Sequence, residues 1–249
     1  MKVAVVVFTI GTRHVLSFNN IFRSNLEKYC SKHGYDLKVR TTLIKEEPDM
    51  NRKKFFWQRL LVANEYRDYD FVISLDSDIY VNPNAPELPL KDIPDGKIGA
   101  VNERKYMGNY DWREIIQKKN KWEITGIDWY ALSGEKKNYN DHINGGLVIY
   151  QPKYHANLFS KLYDDNIANY MKYNQDDQSF LSSYLIDNNM IWWLDERFNK
   201  VWFFWKELFY PIWNKLASEE RKAVIANFIK LNYLCHFTSL HDVEYISNF

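Results

Sequence analysis

The feature that most constrains the fold is an alternation of buried strands and helices in the first part of the chain. The continuous apolar runs Val3–Phe8 and Phe71–Leu75 are typical of strands that are covered on both faces. Between them, apolar residues at helical spacing predict helices over Ser17–His33 and Asn51–Arg67, separated by a strand at Asp36–Arg40. This βαβαβ order predicts an α/β fold with a central, mostly parallel sheet flanked by helices, whose ligands bind beyond the carboxyl ends of the strands.

The remainder of the chain continues the pattern less regularly. Four prolines between Pro83 and Pro94 predict a surface loop, and the polar stretch Thr125–Asp141 predicts an irregular segment. Further strands are predicted at Ile98–Val101, His142–Tyr150 and Tyr233–Phe237, and further helices at Asp111–Lys119, Ala156–Tyr173, Asp177–Ile186 and Ser218–Leu231. Since no repeat or linker separates these elements, we expect a single domain over residues 1–249.

The composition excludes several classes of protein. Lys and Arg number 33 against 32 Asp and Glu, and the net charge of +1 lacks the excess of positive charge expected of a nucleic-acid-binding protein. The two cysteines, Cys30 and Cys235, form no C-x-x-C pair, which favours a reducing compartment. No apolar run approaches the roughly 18 residues of a membrane span, and the first strand reaches Gly11 too early for a signal sequence. We therefore expect a cytoplasmic protein without a transmembrane segment.

Two carboxylates follow the buried strand Phe71–Leu75. Side chains at positions i and i+2 of an extended segment point to the same side, so Asp76 and Asp78 share one direction while Ser77 faces elsewhere. Carboxylate and phosphate oxygens suit magnesium or manganese, which bind one or two protein carboxylates together with a diphosphate. The alternative is that the two aspartates only end the strand and begin a turn.

The segment Tyr69–Ile79 (YDFVISLDSDI) resembles the D-x-D segment of GT-A glycosyltransferases. Later segments are similar, in the same order, to motifs of the retaining glycosyltransferase families 8 and 34. These are His142–Ile149 (HINGGLVI) for the F-N-x-G strand, Asn174–Leu181 (NQDDQSFL) for the D-Q helix start, Leu194–Asn199 (LDERFN) for the L-P-x-x-[FY]-N segment, and Leu234–Phe237 (LCHF) for the H-[FY] element. The resemblance implies a GT-A, Rossmann-like fold. Residues 1–101 would then form a nucleotide-binding half and 102–249 an acceptor-binding half with an aromatic-rich, helical C-terminal part.

The resemblance also implies a metal centre. Asp76 and Asp78 would hold manganese or magnesium, with His236 as a third ligand through a neutral imidazole nitrogen. His241 is an alternative third ligand, because the family continues from its histidine into G-x-x-K-P-W whereas this chain continues into Thr238–Asp242. For either histidine, the alternative role is a hydrogen-bonding residue near the end of a strand.

The catalytic residues are implied by the same resemblance. Asp177 and Gln178 would open a helix and lie against the sugar ring, where they would stabilise an oxocarbenium-like transition state or attack it. Capping of the helix is the alternative for the aspartate. Asn144 and Gly145 would lie beside the acceptor and the sugar. The alternative for the pair Gly145 and Gly146 is relief of crowding against a neighbouring strand.

The resemblance also implies which residues, from several parts of the chain, would hold the donor. Thr9 and the loop to Arg13 fall where GT-A enzymes seat the uridine. Arg59 falls where similar families carry a basic residue that reaches the donor, and its alternative is an ordinary exposed helix charge. The set of donor-binding and metal-binding residues implied in this way comprises Thr9, Arg13, Arg59, Asp76, Ser77, Asp78 and Gly145.

Aromatic residues make up 17% of the chain, and many of them lie in its last 60 residues. Trp202, Trp205, Phe209 and Trp213 step by three or four positions, which predicts a helical stripe. Three interpretations stay open for this block. It packs in the core, lines an acceptor groove, or meets a membrane interface.

The residues and the resemblance together predict a metal-dependent glycosyltransferase of the hexosyltransferase type. It would move a sugar from a UDP-sugar to a hydroxyl of a glycan or glycoconjugate, with retention of anomeric configuration. Two other functions stay open. Gly11–Arg13 is similar to part of the phosphate loop of sugar-phosphate nucleotidyltransferases, and the aromatic content also suits a non-catalytic glycan-binding module.

Overall fold

The chain forms two β-sheets with helices packed around them. The computed structural model describes residues 1–48, 51–104, 125–168 and 177–246. The strands are β1 Val3–Phe8, β2 Asp36–Arg40, β3 Phe71–Leu75, β4 Ile79–Val81, β5 Ile98–Asn102, β6 Ile143–Tyr150, β7 Ile191–Trp193, β8 Lys200–Val201 and β9 Leu234–His236. The predicted helix at Asp111–Lys119 lies outside the described residues.

Helices connect most of these strands. The α-helices are α1 Thr12–Ser17, α2 Arg23–His33, α3 Arg52–Phe56, α4 Val62–Glu65, α5 Gly126–Leu132, α6 Pro152–Asn166, α7 Gln178–Asp187, α8 Trp202–Phe209 and α9 Ser218–Leu231. Shorter turns are a π-helical turn at Phe18–Phe22 and 3₁₀ turns at Trp57–Leu61, Leu90–Asp92, Glu196–Asn199, Trp213–Lys215, Thr238–Leu240 and Val243–Tyr245. Gly34 adopts the left-handed conformation at the end of α2, as the sequence predicts.

The larger sheet has six strands in the order β2-β1-β3-β6-β5-β7. β1 pairs in parallel with β2 and β3, and β5 pairs in parallel with β7, so the predicted mostly parallel sheet is confirmed. Among its described strands, β6 alone is antiparallel to its neighbours, β3 and β5. As a result, the start of β6 lies beside the carboxyl ends of β3 and β5.

The smaller sheet has the order β4-β9-β8 and lies just beyond the end of β3. Ile79 of β4 pairs with His236 of β9 in an antiparallel register, and Val201 of β8 pairs with the same histidine in a parallel register. This sheet therefore delivers residues from the end of the chain to the carboxyl end of β3.

Two apolar cores cover the two faces of the larger sheet. Side chains alternate along a strand, and accordingly Val3, Val5 and Val7 of β1 belong to one core whereas Ala4 and Val6 belong to the other. The first core includes residues of α2, α8 and α9, and the second includes residues of α6 and α7. Within the described residues, every helix falls short of the length and hydropathy that a membrane crossing requires.

The aromatic block does not form one helical stripe. α8 ends at Phe209, because Pro211 follows and disfavours a helical conformation at Tyr210, so Trp213 lies on a separate 3₁₀ turn. The three tryptophans of the predicted stripe, Trp202, Trp205 and Trp213, are buried in the first core. Core packing is therefore the role of these three residues, whereas Phe209 is exposed.

The predicted irregular segment Thr125–Asp141 contains α5, and this expectation was wrong. The side chain of Thr125 accepts a hydrogen bond from the backbone N–H of Asp128 at 3.0 Å, which caps the first turn of the helix. The motif Thr-x-x-Asp is typical of a helix N-terminus. The sequence prediction missed this helix because the surrounding residues are mostly polar.

Candidate active site

Two aspartates and a histidine converge beyond the carboxyl end of β3. Asp76, Asp78 and His236 each offer one ligand atom, and these atoms lie within 4.8 Å of one another. Nε2 of His236 is 3.2 Å from Oδ1 of Asp78 and 3.7 Å from Oδ2 of Asp76. His236 is buried and Asp76 is partly exposed, so the cluster opens toward solvent on the side of Asp76.

Main-chain pairing places the members of this cluster. The N–H of Asp76 donates to the carbonyl oxygen of Gly146 at 2.9 Å, which extends the pairing of β3 with β6 by one residue. The N–H of Phe237 donates to the carbonyl oxygen of Asp78 at 2.8 Å and extends the pairing of β4 with β9. In addition, the N–H of Ser239 donates to Oδ2 of Asp78 at 3.1 Å. The two carboxylates therefore have positions that the sheets determine.

Two effects act on the pKa of His236 in opposite directions. Burial lowers the pKa of this histidine, but the neighbouring carboxylates of Asp78 and Asp76 outweigh burial and raise it above its ordinary value. On its other side, Nδ1 lies 3.1 Å from Oδ1 of Asn199. The nitrogen that faces the aspartates is thus Nε2, in a strongly negative environment that suits a cation.

The donor set fits a hard divalent cation. Two neighbouring ligands of an octahedral ion with bonds of about 2.1 Å lie about 3 Å apart, and the histidine is 3.2 Å from one carboxylate and 3.7 Å from the other. The two carboxylate oxygens suit manganese or magnesium, and the imidazole nitrogen is a ligand that transition metals accept more readily than magnesium does. Of the two candidate histidines, His236 is the one that joins the aspartates, whereas His241 lies against the ring of Phe203, with ring centroids 6.2 Å apart.

Asp76, Asp78 and His236 form the candidate metal-binding cluster. Arg59 is buried behind this cluster and is not an exposed helix charge. Its Nε is 2.7 Å from Oδ2 of Asp177, its Nη1 donates to the carbonyl oxygen of Gly145, and its Nη2 is 3.7 Å from Oδ1 of Asp76. The carboxylate of Asp177 is fully buried and makes no capping hydrogen bond to its helix. The arrangement therefore neutralises a buried acid and brings positive charge to the edge of the metal-binding cluster.

Gly145 and Gly146 leave room for side chains of the site. A Cβ at Gly145 would overlap Nη1 of Arg59, and a Cβ at Gly146 would lie 2.5 Å from Cε1 of His236. The crowding that these glycines relieve therefore comes from side chains of the site, chiefly Arg59 and His236, the latter on β9 of the smaller sheet. Oε1 of Gln178 accepts a hydrogen bond from the N–H of Gly145 at 3.0 Å, which fixes the glutamine at the start of α7.

A cavity of about 780 Å³ opens in front of the metal-binding cluster. Its polar wall includes Arg59, Asp76, Ser77, Asp78, Glu103, Asn144, Gln178 and His236. Its apolar wall includes Phe8, Ile10, Leu43, Phe55, Phe203 and Phe204. Part of the C-terminal aromatic block thus forms a wall of this cavity, so a ligand that fills it would contact charge on one side and aromatic rings on the other.

Several predicted residues lie away from the cavity wall. Thr9 is buried between Phe8 and Ile10, and because side chains alternate at the end of β1 it points away from the cavity that they line. Arg13 is exposed on α1, one position before His14, which does line the cavity. Donor contact by these two residues stays a prediction. The same holds for sugar contact by Asp177, whose carboxylate pairs with Arg59 instead of lining the cavity.

Sequence reasoning missed two buried residues of the site, Glu103 and Asn199. Oε2 of Glu103 accepts a hydrogen bond from Nδ2 of Asn144 at 3.2 Å, and Nδ2 of Asn199 donates to Oδ1 of the same asparagine at 2.8 Å. Glu103 directly follows β5, so the rule that singles out Asp76 at the end of a strand also applies to it. Asn199 closes the segment Leu194–Asn199 but carried no chemical signal of its own.

The fold defined by these sheets and this site is the GT-A fold of glycosyltransferases. No protein-family model and no curated protein sequence matches this chain. Solved structures do match it. A glycosyltransferase involved in the glycosylation of the major capsid of PBCV-1 superimposes with a TM-score of 0.60 at 15% identity, over 98% of this chain and 97% of that one.

Two further solved structures have the same fold. The galactosyltransferase LgtC, in complex with donor and acceptor sugar analogs, matches with a TM-score of 0.58 at 12% identity, over 99% of this chain and 92% of that one. Mouse xyloside xylosyltransferase 1 matches with a TM-score of 0.54 at 10% identity, over 96% of this chain and 99% of that one. At these identities the likeness establishes the fold, and the chemistry has to be argued from the site.

Proposed function

We propose that this protein is a metal-dependent glycosyltransferase of the hexosyltransferase type. It moves a sugar from a UDP-sugar to a hydroxyl of a glycan or glycoconjugate, and the product retains the anomeric configuration of the donor. The observation that carries the proposal is the convergence of Asp76, Asp78 and His236 on the wall of a cavity of about 780 Å³, at the carboxyl end of a strand in a GT-A fold.

The charges around the cavity support a diphosphate ligand. Asp76, Asp78 and His236 would hold the divalent ion, manganese or magnesium, and Arg59 lies 3.7 Å from Asp76 on the other side. When bound, such an ion supplies positive charge that stabilises the departing nucleoside diphosphate. The expectation that Ser77 faces away from the two aspartates was wrong, because residues 77 and 78 form a turn instead of an extended segment. Ser77 lies on the same cavity wall as the aspartates and would face the same group. A diphosphate is the common ligand that suits both an ion and a neighbouring guanidinium.

The residues of β6 and α7 would position the sugar. Gln178 lines the cavity, and its hydrogen bond to the N–H of Gly145 holds the amide in place. Asn144 lines the same wall, and its bonds to Glu103 and Asn199 fix its side chain. A polar group held next to developing positive charge stabilises the transition state more than the ground state. We assign Gln178 this role, with the acceptor hydroxyl arriving on the face that the diphosphate leaves.

The two halves of the chain have distinct proposed tasks. Residues 1–101 would bind the nucleotide through the apolar wall near Phe8, Ile10 and Phe55. Residues 102–249 would bind the acceptor, with Phe203 and Phe204 as an aromatic surface for a sugar ring. Both halves contribute to the metal-binding cluster, through Asp78 and His236 respectively. We also propose a role in polysaccharide biosynthesis. The cytoplasmic location stays a prediction. Both cysteines, on which the predicted reducing compartment was based, are free and buried.

Incubation with a panel of UDP-sugars and manganese tests the proposal. Release of UDP that depends on manganese supports a glycosyltransferase, and the anomeric configuration of the product, read by NMR spectroscopy, decides retention. Pyrophosphate formed from UTP and a sugar phosphate would instead identify a nucleotidyltransferase. Binding of a glycan without either product would identify a glycan-binding module. The matched control is the Asp78→Asn variant, which should release no UDP under the same conditions.

A further inference from the structure

A chain of buried hydrogen bonds runs from His236 to Glu103. Nδ1 of His236 lies 3.1 Å from Oδ1 of Asn199, Nδ2 of Asn199 lies 2.8 Å from Oδ1 of Asn144, and Nδ2 of Asn144 lies 3.2 Å from Oε2 of Glu103. All four residues are buried. These residues, His236, Asn199, Asn144 and Glu103, are called the relay below.

The backbone N–H of Gly146 determines which groups of the relay donate hydrogen bonds and which accept them. The backbone N–H of Gly146 donates to the side chain of Asn144 at 2.9 Å, and a backbone N–H is a donor only. The atom of Asn144 that it meets must therefore be the oxygen. That oxygen also faces Asn199, which must present its NH₂ group there, and the oxygen of Asn199 is left to face His236. Glu103 accepts at the far end, in agreement with this direction.

The relay determines which nitrogen of His236 carries a proton. Because Oδ1 of Asn199 only accepts hydrogen bonds, Nδ1 of His236 must donate. In the neutral imidazole the lone pair is then on Nε2, the nitrogen 3.2 Å from Asp78. The opposite tautomer would set two lone pairs against each other in a buried position and would point an N–H into the metal-binding cluster.

The packing around the ring supports the same orientation. The backbone at Gly146 is so close to the imidazole that a Cβ there would lie 2.6 Å from Nδ1 and 2.5 Å from Cε1 of His236. The ring therefore has little room to turn, and its two nitrogens keep distinct partners. One partner is an uncharged amide oxygen and the other is a pair of carboxylates.

We propose that Asn199 is a positioning residue for the metal site. It holds the proton on Nδ1 of His236 and so keeps the lone pair of Nε2 directed at the ion that Asp76 and Asp78 share. The inference rests on the metal site of the proposed function. Outer partners of this kind affect metal affinity by about 10- to 100-fold when they are removed.

The tautomer can be measured without any metal or substrate. In metal-free protein with ¹⁵N-labelled histidine, at a pH above the pKa of His236, long-range ¹H–¹⁵N spectra distinguish a protonated nitrogen from a lone-pair nitrogen. The His236→Ala variant assigns the signal among the 6 histidines. We expect the proton on Nδ1, and a proton on Nε2 in the wild-type protein would overturn the proposal. This measurement on the wild-type protein does not require that any variant of Asn199 folds.

Metal titration then tests the role of Asn199. Calorimetry with Mn²⁺ should show an affinity about 10- to 100-fold lower for Asn199→Leu than for the wild type. Asn199→Asp keeps an oxygen opposite Nδ1 and should preserve the Nδ1–H tautomer, but it loses the NH₂ group that donates to Oδ1 of Asn144. The control is Asn232→Leu, since Asn232 is also buried and donates to the carbonyl oxygen of Phe228 at 2.8 Å, away from the cavity. This control should bind Mn²⁺ as the wild type does.

The outcomes separate this inference from the proposed function. If the wild type binds Mn²⁺ and Asn199→Leu binds it equally well, the positioning role of Asn199 is wrong and the metal site stands. If the wild type binds no Mn²⁺, the metal site of the proposed function is wrong, and the tautomer measured in metal-free protein still decides whether Asn199 sets the proton on His236.

Discussion

The carbonyl oxygen of Gly145 accepts a hydrogen bond from Nη1 of Arg59, and only the missing side chain at Gly145 leaves space for that guanidinium. A Cβ at this position would overlap Nη1 and would come within 3.3 Å of Oε1 of Gln178. One glycine therefore controls the position of both the buried cation and the glutamine on the cavity wall.

Gly145→Ala should displace Arg59 and Gln178 while the sheet remains folded. A small misplacement of positioning groups lowers turnover by about 100-fold, so we expect a loss of that order in UDP-sugar turnover. The control is Gly99→Ala on β5, where the added Cβ meets the flexible end of Ile93 and lies 3.3 Å from Cβ of Ile149, away from the cavity wall. Steady-state kinetics compare the two variants. Equal activity in Gly145→Ala and the wild type would contradict the link between this glycine and the site.

Arg59→Met should destabilise the protein strongly, because it removes the guanidinium that pairs with the buried carboxylate of Asp177 at 2.7 Å. Breaking a buried pair on one side costs about 3–5 kcal/mol. The double variant Arg59→Met with Asp177→Leu should recover part of this loss, since it removes both charges. Urea denaturation measures each value. Arg23→Met, which breaks an exposed pair with Glu27, should cost at most about 1 kcal/mol, and a similar small cost for Arg59→Met would refute the prediction.

Asp78→Asn should abolish manganese-dependent binding of UDP and leave the fold intact. The variant removes one of the two carboxylates next to His236 but retains a side chain of the same size. Calorimetry with UDP, in the presence of manganese and after its removal by a chelator, compares the variant with Asp92→Asn, which changes an exposed aspartate away from the cavity. Wild-type affinity in Asp78→Asn would show that the aspartate holds no metal.

Gln178→Ala should slow turnover far more than it weakens UDP binding. The side chain lines the cavity and is fixed by the N–H of Gly145, so its proposed effect falls on the transition state. Loss of one such stabilising group lowers kcat by about 100- to 1,000-fold. Single-turnover kinetics and UDP titration separate the two effects. A variant with unchanged kcat, or one that loses both to the same degree, would remove Gln178 from this role.

The stability of the folded protein should fall in the acidic pH range as Asp242 becomes protonated. Its carboxylate accepts hydrogen bonds from Nε1 of Trp202 at 2.8 Å and Nε1 of Trp213 at 3.1 Å, and it pairs with Lys206 at 2.8 Å. Burial alone would raise the pKa of Asp242, but the bonds from Lys206 and Trp202 outweigh it and hold the pKa below its ordinary value.

A depressed pKa in the folded state means that Asp242 stabilises the protein above its unfolded pKa of about 3.9 and loses this effect as the pH falls through the lower folded value. Asp242→Asn should therefore cost about 1.5–3 kcal/mol at neutral pH. The difference from the wild type should shrink below a pH of about 4. Thermal unfolding across this range checks the trend, and a difference that grows on acidification would contradict it.

The parts of the site that the sequence predicted are those with a local signal. Asp76 and Asp78 end a buried strand, and the glycine pair at Gly145 and Gly146 marks a close approach to the backbone. The resemblance of Leu234–Phe237 to the H-[FY] element implied that His236 lies near the aspartates. The structure then identified the side chains that require the glycines, Arg59 and His236, because such contacts depend on the register of distant strands.

The missed parts depend on long-range geometry. Glu103 and Asn199 are joined by Asn144, whose place is set by the reversed direction of β6 in the larger sheet. No periodicity within a segment encodes that reversal. The end of α8, by contrast, could have been predicted from the sequence. Pro211 disfavours a helical conformation at Tyr210, so the helix that carries the predicted stripe had to end before Trp213.

The proposed cation ligands come from opposite halves of the chain, because Asp78 directly precedes β4 and His236 lies in β9, the antiparallel partner of β4. A nascent or truncated polypeptide that lacks β9 therefore has no complete binding centre, however well its first strands have formed. If the proposed ion binds, its occupancy would report that the last strand has docked, and its binding free energy would be added to the native state alone. The supply of the ion would then affect the lifetime of the folded protein.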